Sequence, residues 1–143
     1  MPGQRSLSGH ITAQSSREID EILTGMAMVV DVLTAFAQEA VRVHQAAHLP
    51  DRLIAEAVGA KPSTVRDWLN GRSSPTGQRA RRLAELAEIT DRLARVVDAR
   101  YIPVWMVKPV EALDDYTPVE LIAGGQARRV ARLISELESP GAA

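Results

Sequence analysis

Few side chains in this 143-residue chain are placed to make or break a bond. His44 and His48 stand four apart, the helical separation at which two imidazoles can share a metal, but no glutamate completes an H-E-x-x-H pattern between them. Asp114 and Asp115 form a carboxylate pair, yet they sit just before Thr117-Pro118, where turn formation and helix capping account for them. Gly124-Gly125 precedes a helical stretch without the G-x-G-x-x-G context that cradles a dinucleotide. With no cysteine there is no disulfide framework and no thiolate metal site. No catalytic residue, metal or cofactor is expected, and the chain does not read as an enzyme. What it does carry is charge: between Asp51 and Arg82 seven basic residues face three acidic ones, a local +4 that leaves −5 for the rest of a chain whose net charge is −1. Gathered on one face, such an island can hold phosphates; spread over helices, it is a solvated surface.

The elements that position this island read as helices throughout. Residues 1–16 are polar and rich in Ser, Gly and Gln, and are expected to be a disordered tail. They lack the apolar run of a secretory signal, and no uninterrupted apolar stretch is long enough to span a membrane, so a cytoplasmic protein is expected. Ser16 is a good N-cap for a long helix over 17–49, along which Ile19, Ile22, Met26, Val29, Leu33, Phe36, Ala40 and Val43 recur at alternating three- and four-residue steps. Leu23, Val30, Ala37 and Val41 widen that seam beyond a strict coiled-coil stripe. It can serve to pair two copies of the chain or as a core helix of one. A helix is predicted over 78–98, with Leu83, Leu86, Thr90, Leu93 and Val97 on one side, and a last one over 125–138. Between them Pro103, Pro109 and Pro118 cut the chain into short pieces. No period-two run of β-branched residues is present, and the fold class is all-α.

The stretch 51–70, DRLIAEAVGAKPSTVRDWLN, reads as helix, turn, helix. Two short helices held at a fixed angle need a small residue at their crossing, one that accepts φ > 0 at the turn, and apolar residues on both inner faces. Ala55, Gly59 and the set Ile54, Val58, Val65 and Trp68 fill those places in one register. The stretch resembles the helix-turn-helix of the Xre type, the phage-repressor-like DNA-binding domains. That resemblance implies a positioning helix over Asp51–Val58 and a recognition helix over 62–70 that enters the major groove of double-stranded operator DNA. Lys61, Ser63, Thr64, Arg66, Asp67 and Asn70 are then the side chains the core leaves over. Arg66 suits a bidentate contact to guanine and Asn70 a pair with adenine, while Lys61, Ser63, Arg72 and Arg79 suit phosphates. Lys61 stands where a serine or threonine would normally cap the recognition helix, an arrangement that makes sense beside a phosphate. Domains of this type pair across a two-fold axis to read two half-sites, so a homodimer is expected.

Downstream, Trp105-Met106, Pro109, Leu113, Pro118-Val-Glu-Leu121-Ile122, Gly125 and Arg129-Val130-Leu133-Ile134 are similar to the toxin-binding region of the Xre/MbcA/ParS antitoxin family, which joins an Xre-like reader to a small helical C-terminal module in this order. The resemblance covers roughly Asp51 to Glu138; the helix before residue 50 has no match in the family pattern. It implies a type II antitoxin that represses its own operon and blocks the active site of a RES-domain toxin, an enzyme that destroys NAD by hydrolysis or phosphorolysis. Such an inhibitor needs an apolar anchor with a polar rim. Trp105, Met106, Leu121 and Ile122 are the candidate anchors and Arg128, Arg129 and Arg132 the candidate rim; for each, packing of the chain's own core is the alternative. The expected domains are the tail at 1–16, the long helix at 17–49, the reader at 50–98 and the toxin-binding module at 99–143. A stand-alone helix-turn-helix regulator, phage or chromosomal, whose C-terminal module only dimerises or senses, is the competing reading.

Overall fold

The computed structural model describes residues 2–139, with side-chain surroundings given for 16–29, 35–36 and 38–139. Its elements are helical: α1 (Pro2–Ala46), α2 (Asp51–Val58), α3 (Pro62–Leu69), α4 (Gly77–Leu93), α5 (Ile102–Met106), α6 (Pro118–Ala123) and α7 (Ala127–Glu138), with 3₁₀ turns at Ala99–Tyr101 and Glu111–Leu113. Among the described residues there is no strand and no helix long and apolar enough to cross a membrane. The chain divides into two units, Met1–Leu33 and Thr34–Ala143. The first consists of the leading part of α1. The backbone of α1 is helical from Pro2, whereas the sequence suggests a disordered tail over 1–16 and a start at Ser16; the side chains of residues 1–15 lie outside the described residues.

The second unit has one core. Ala40 and Val43 from the end of α1, Ile54 and Val58 from α2, Val65 and Trp68 from α3, Leu83, Leu86 and Leu93 from α4, Ile102 and Met106 from α5, Ile122 from α6, and Val130 and Ile134 from α7 all belong to a single buried cluster. α2 is its hub, packing against α3, α4 and α6, and α7 closes over α4 and α6. The boundary drawn at 98/99 from the sequence therefore marks no gap in packing: reader and C-terminal module share an interior.

Local chemistry explains most element ends. α1 stops at Ala46, where His48 takes φ +56° and the His44 Nδ1–H donates to the Leu49 carbonyl at 2.8 Å, ahead of Pro50. α4 ends at Leu93, earlier than the predicted 98, because its ladder tightens: the N–H groups of Arg95 and Val96 reach back only three residues, to Arg92 and Leu93. Asp98 caps the 3₁₀ turn that follows by accepting the Arg100 N–H, and the Arg100 guanidinium beside it holds its carboxyl at about 2. Asp114 and Asp115 both adopt left-handed φ, making the turn their types suggest. Thr117 then caps α6, its hydroxyl oxygen accepting from Glu120 N at 3.2 Å, with Pro118 at the first helical position. α7 is bound to α4 by Arg92, which donates to Ser135 Oγ at 2.8 Å and Glu138 Oε1 at 3.0 Å. Val130 and Ile134 face inward, whereas Leu137 is exposed near the helix end.

Candidate nucleic-acid and partner-binding surfaces

The reader is built around Gly59. It ends α2 at φ +76°, and its N–H and that of Ala60 both donate to the Ala55 carbonyl, at 2.9 and 3.0 Å. A Cβ placed there would meet only Arg82 Nη1 at 3.7 Å, so backbone conformation rather than lack of space calls for glycine. Arg79, from the first turn of α4, donates its Nε–H to the Gly59 carbonyl at 3.2 Å and ties the turn to the next helix. Ile54, Ala55, Val58, Val65 and Trp68 are all buried, as the helix-turn-helix register requires.

With the inner face of α3 closed, the outer face is set. Lys61, Ser63, Arg66 and Asn70 are exposed, and Thr64 and Asp67 are half-buried beside them. Arg72 and Arg79 are exposed on the flank. The cations differ in their ties. Arg66 Nη1 lies 2.9 Å from Asp51 Oδ2, linking recognition helix to positioning helix, and this hydrogen bond holds the Asp51 carboxyl below its ordinary value. Arg72 stands 3.8 Å from Asp67. Lys61 precedes α3 in extended backbone with no side-chain cap on the helix, and Pro62 follows it. Arg66 and Asn70 also line a cleft of about 440 Å³ with Val41, His44, Gln45, Pro50, Asp51 and Leu69. Sequence reasoning placed Arg66 outward but missed Asp51 as its partner, since the two are fifteen residues apart and meet only once the hairpin forms.

The C-terminal module corrects the sequence expectation at three positions. Met106, Leu121 and Ile122 are 1 %, 2 % and 0 % exposed, so these three supposed anchors are core residues. The reason is that α6 lies between α2, α4 and α7, and α5 packs against α6. Trp105 is half-buried and rests on the core. Outside the core the module exposes Tyr116, Leu137 and a run of three, Tyr101, Val104 and Val107, each nearly half exposed. Their three-residue spacing is the signal that could have found them. Arg128 and Arg132 are exposed; Arg129 is half-buried, with Nη2 2.6 Å from Asp114 Oδ2 and Nη1 3.1 Å from Gln126 Oε1. Arg129 is thus committed to holding the Asp114 turn against α7. Arg82 sits where the two parts meet: Cβ atoms built on Gly59 and on Gly125, both left-handed, would lie 3.7 and 3.9 Å from its two terminal nitrogens.

A family model described as helix-turn-helix matches residues 41–91. Mycobacterial cidal antitoxin MbcA of Mycobacterium tuberculosis and that of Mycobacterium bovis are each 33% identical to the chain over 84 residues, covering 59% of this chain and 74% of theirs. A chain in the crystal structure of the M. tuberculosis MbcT–MbcA toxin–antitoxin complex matches with a TM-score of 0.67 at 28% identity, over 75% of this chain and 96% of that one.

Proposed function

The chain belongs to the family of the antitoxin MbcA, and on that premise we propose that it is the antitoxin of a type II toxin–antitoxin pair. The observation that carries the reading is the extent of the structural match: it runs over nearly the whole of a chain from a toxin–antitoxin complex, far more than the helix-turn-helix alone. In this reading α3 enters the major groove of operator DNA. Arg66 and Asn70 read bases, with Thr64 and Asp67 around them, and Lys61, Ser63, Arg72 and Arg79 hold phosphates. The chain acts as a homodimer in the cytoplasm and represses its own operon.

The C-terminal module blocks the toxin, a RES-domain enzyme that degrades NAD. It works by occupying a surface, with no chemistry of its own. The accessible apolar patch of Tyr101, Val104, Trp105 and Val107 is the anchor, Arg128 and Arg132 supply the rim, and Met106, Leu121 and Ile122 belong to the module's own core.

Expression of the adjacent reading frame alone, with growth and cellular NAD followed, tests the pairing. Arrest with NAD depletion, relieved by co-expression of this chain and accompanied by co-purification of the two products, is the expected result. A chain that binds operator DNA but has no toxic neighbour and captures no such partner is instead the stand-alone regulator.

A further inference from the structure

The first unit carries an apolar face that nothing in its own helix covers. Ile19, Ile22, Leu23, Met26 and Val29 are between 53 and 60 % exposed. Ile19, Ile22, Met26 and Val29 occupy successive a and d positions of one heptad register, and Leu23 follows at an adjoining e position. The same register continues in sequence to Ala40 and Val43, which are buried in the core of the second unit. One half of a single pattern is therefore satisfied within the chain and the other half is not.

Four further considerations bear on what covers it. The polar residues of this segment avoid the face: Asp20, Glu21 and Thr24 occupy b, c and f positions, and Thr24 turns its hydroxyl back to donate to the Asp20 carbonyl at 2.8 Å. Gly25 stands mid-helix at a g position, flanking Ile22 and Val29, and a Cβ there would meet nothing within 4 Å. The chain itself thus gives no reason to accept the helix-weakening glycine, whereas the close approach of another helix would use the space. Finally, a side chain of this kind contributes on the order of 100 Å² when covered, so five from each of two copies bring the contact to roughly the 1,000 Å² that a specific interface needs. Leu23 and Gly25, the e and g positions inside the face, carry no charge, and the one charged flanking position is Glu18, a g position at its leading edge.

We infer that the Ile19–Val29 face is the surface through which two copies of this chain associate, helix against helix. The assignment is independent of the toxin, and of whether α3 binds DNA.

Light scattering after size exclusion, or sedimentation equilibrium, on the full chain from about 1 to 50 µM tests it. The expected mass is twice that of the 15.5 kDa protomer. The Ile22→Lys/Val29→Lys double variant is expected to raise the dissociation constant at least about 100-fold, since it places two ammonium groups in the contact. Asp20→Lys/Thr24→Lys, with the same charge type on the opposite face of the same helix, should leave the mass unchanged. A wild-type chain that is monomeric at about 50 µM, an Ile22→Lys/Val29→Lys variant that keeps the wild-type mass, or association that appears only on addition of a toxin would each overturn the inference.

Discussion

The reader and the C-terminal module are made of the same material, short helices broken by Gly and Pro, yet they arrange their apolar residues differently. In α2 and α3, eight residues each, two full turns separate an inner face (Ile54, Val58, Val65, Trp68) from an outer one (Ser63, Arg66, Asn70). In α5 and α6, five and six residues, nearly everything apolar points inward, and only Val104 with its neighbours Tyr101 and Val107 remains outside. A recognition helix has to present polar groups and can do so cheaply on its wet side. On the reading proposed above, the C-terminal module stops a partner by contact and so has to expose apolar surface, of which a small module can expose only a little without losing its own core.

That contrast can be attacked at four points. The largest effect is expected from Ile122→Ala, which opens a cavity in the shared interior: a loss of about 2–5 kcal/mol, seen in chemical denaturation as a single transition, with DNA binding and toxin neutralisation falling together. If only neutralisation fell, with the reader's stability unchanged, the idea of one interior would be wrong. Next, Val104→Asp should weaken toxin capture by about 100-fold, equivalent to roughly 2.7 kcal/mol, in a calorimetric titration, with the thermal midpoint and operator affinity held. Arg66→Ala and Asn70→Ala should each cost about 1–3 kcal/mol of discrimination between operator and random duplex in gel-shift competition while leaving neutralisation intact. The smallest effect concerns Glu39. Burial pushes its carboxyl above the ordinary 4.5, and its Oε2 is buried without a hydrogen-bond partner. A raised folded-state value means that the ionised form is disfavoured on folding, so the penalty is present at neutral pH and is relieved as pH falls through the folded-state value. Glu39→Gln should accordingly raise the melting temperature at pH 7, and the gain should vanish below about pH 4.5; a gain that persists there would show that packing, not charge, is responsible.

How much of this was legible in the sequence follows from helix length. The spans that the resemblance to the Xre-type helix-turn-helix implies, 51–58 and 62–70, match α2 to the residue and α3 to within one, and Pro50, Gly59 and Pro62 stand at their ends. The inward turn of Met106, Leu121 and Ile122 was not legible, since five or six residues between prolines do not show which side faces the core. Partnerships across long sequence separations were equally hidden. Arg92 reaches Glu138 and Arg66 reaches Asp51 only because the helices carrying them pack, and neither pair has a local signal. The Thr117-Pro-Val-Glu120 cap, by contrast, is a purely local pattern, and the sequence points to capping at Thr117-Pro118.

The packing of α6 on α2 has a consequence for how this protein can be divided or recombined. α2, which sets the angle of the recognition helix, has part of the C-terminal module as its back wall. A chain cut after residue 98 would lose Ile122, Val130 and Ile134 from the interior that supports Ile54 and Val58, and the remaining reader should be a poorly ordered protein rather than a smaller repressor. Exchanging C-terminal modules between relatives would then succeed only when the α2-facing side of α6 travels with its matching wall.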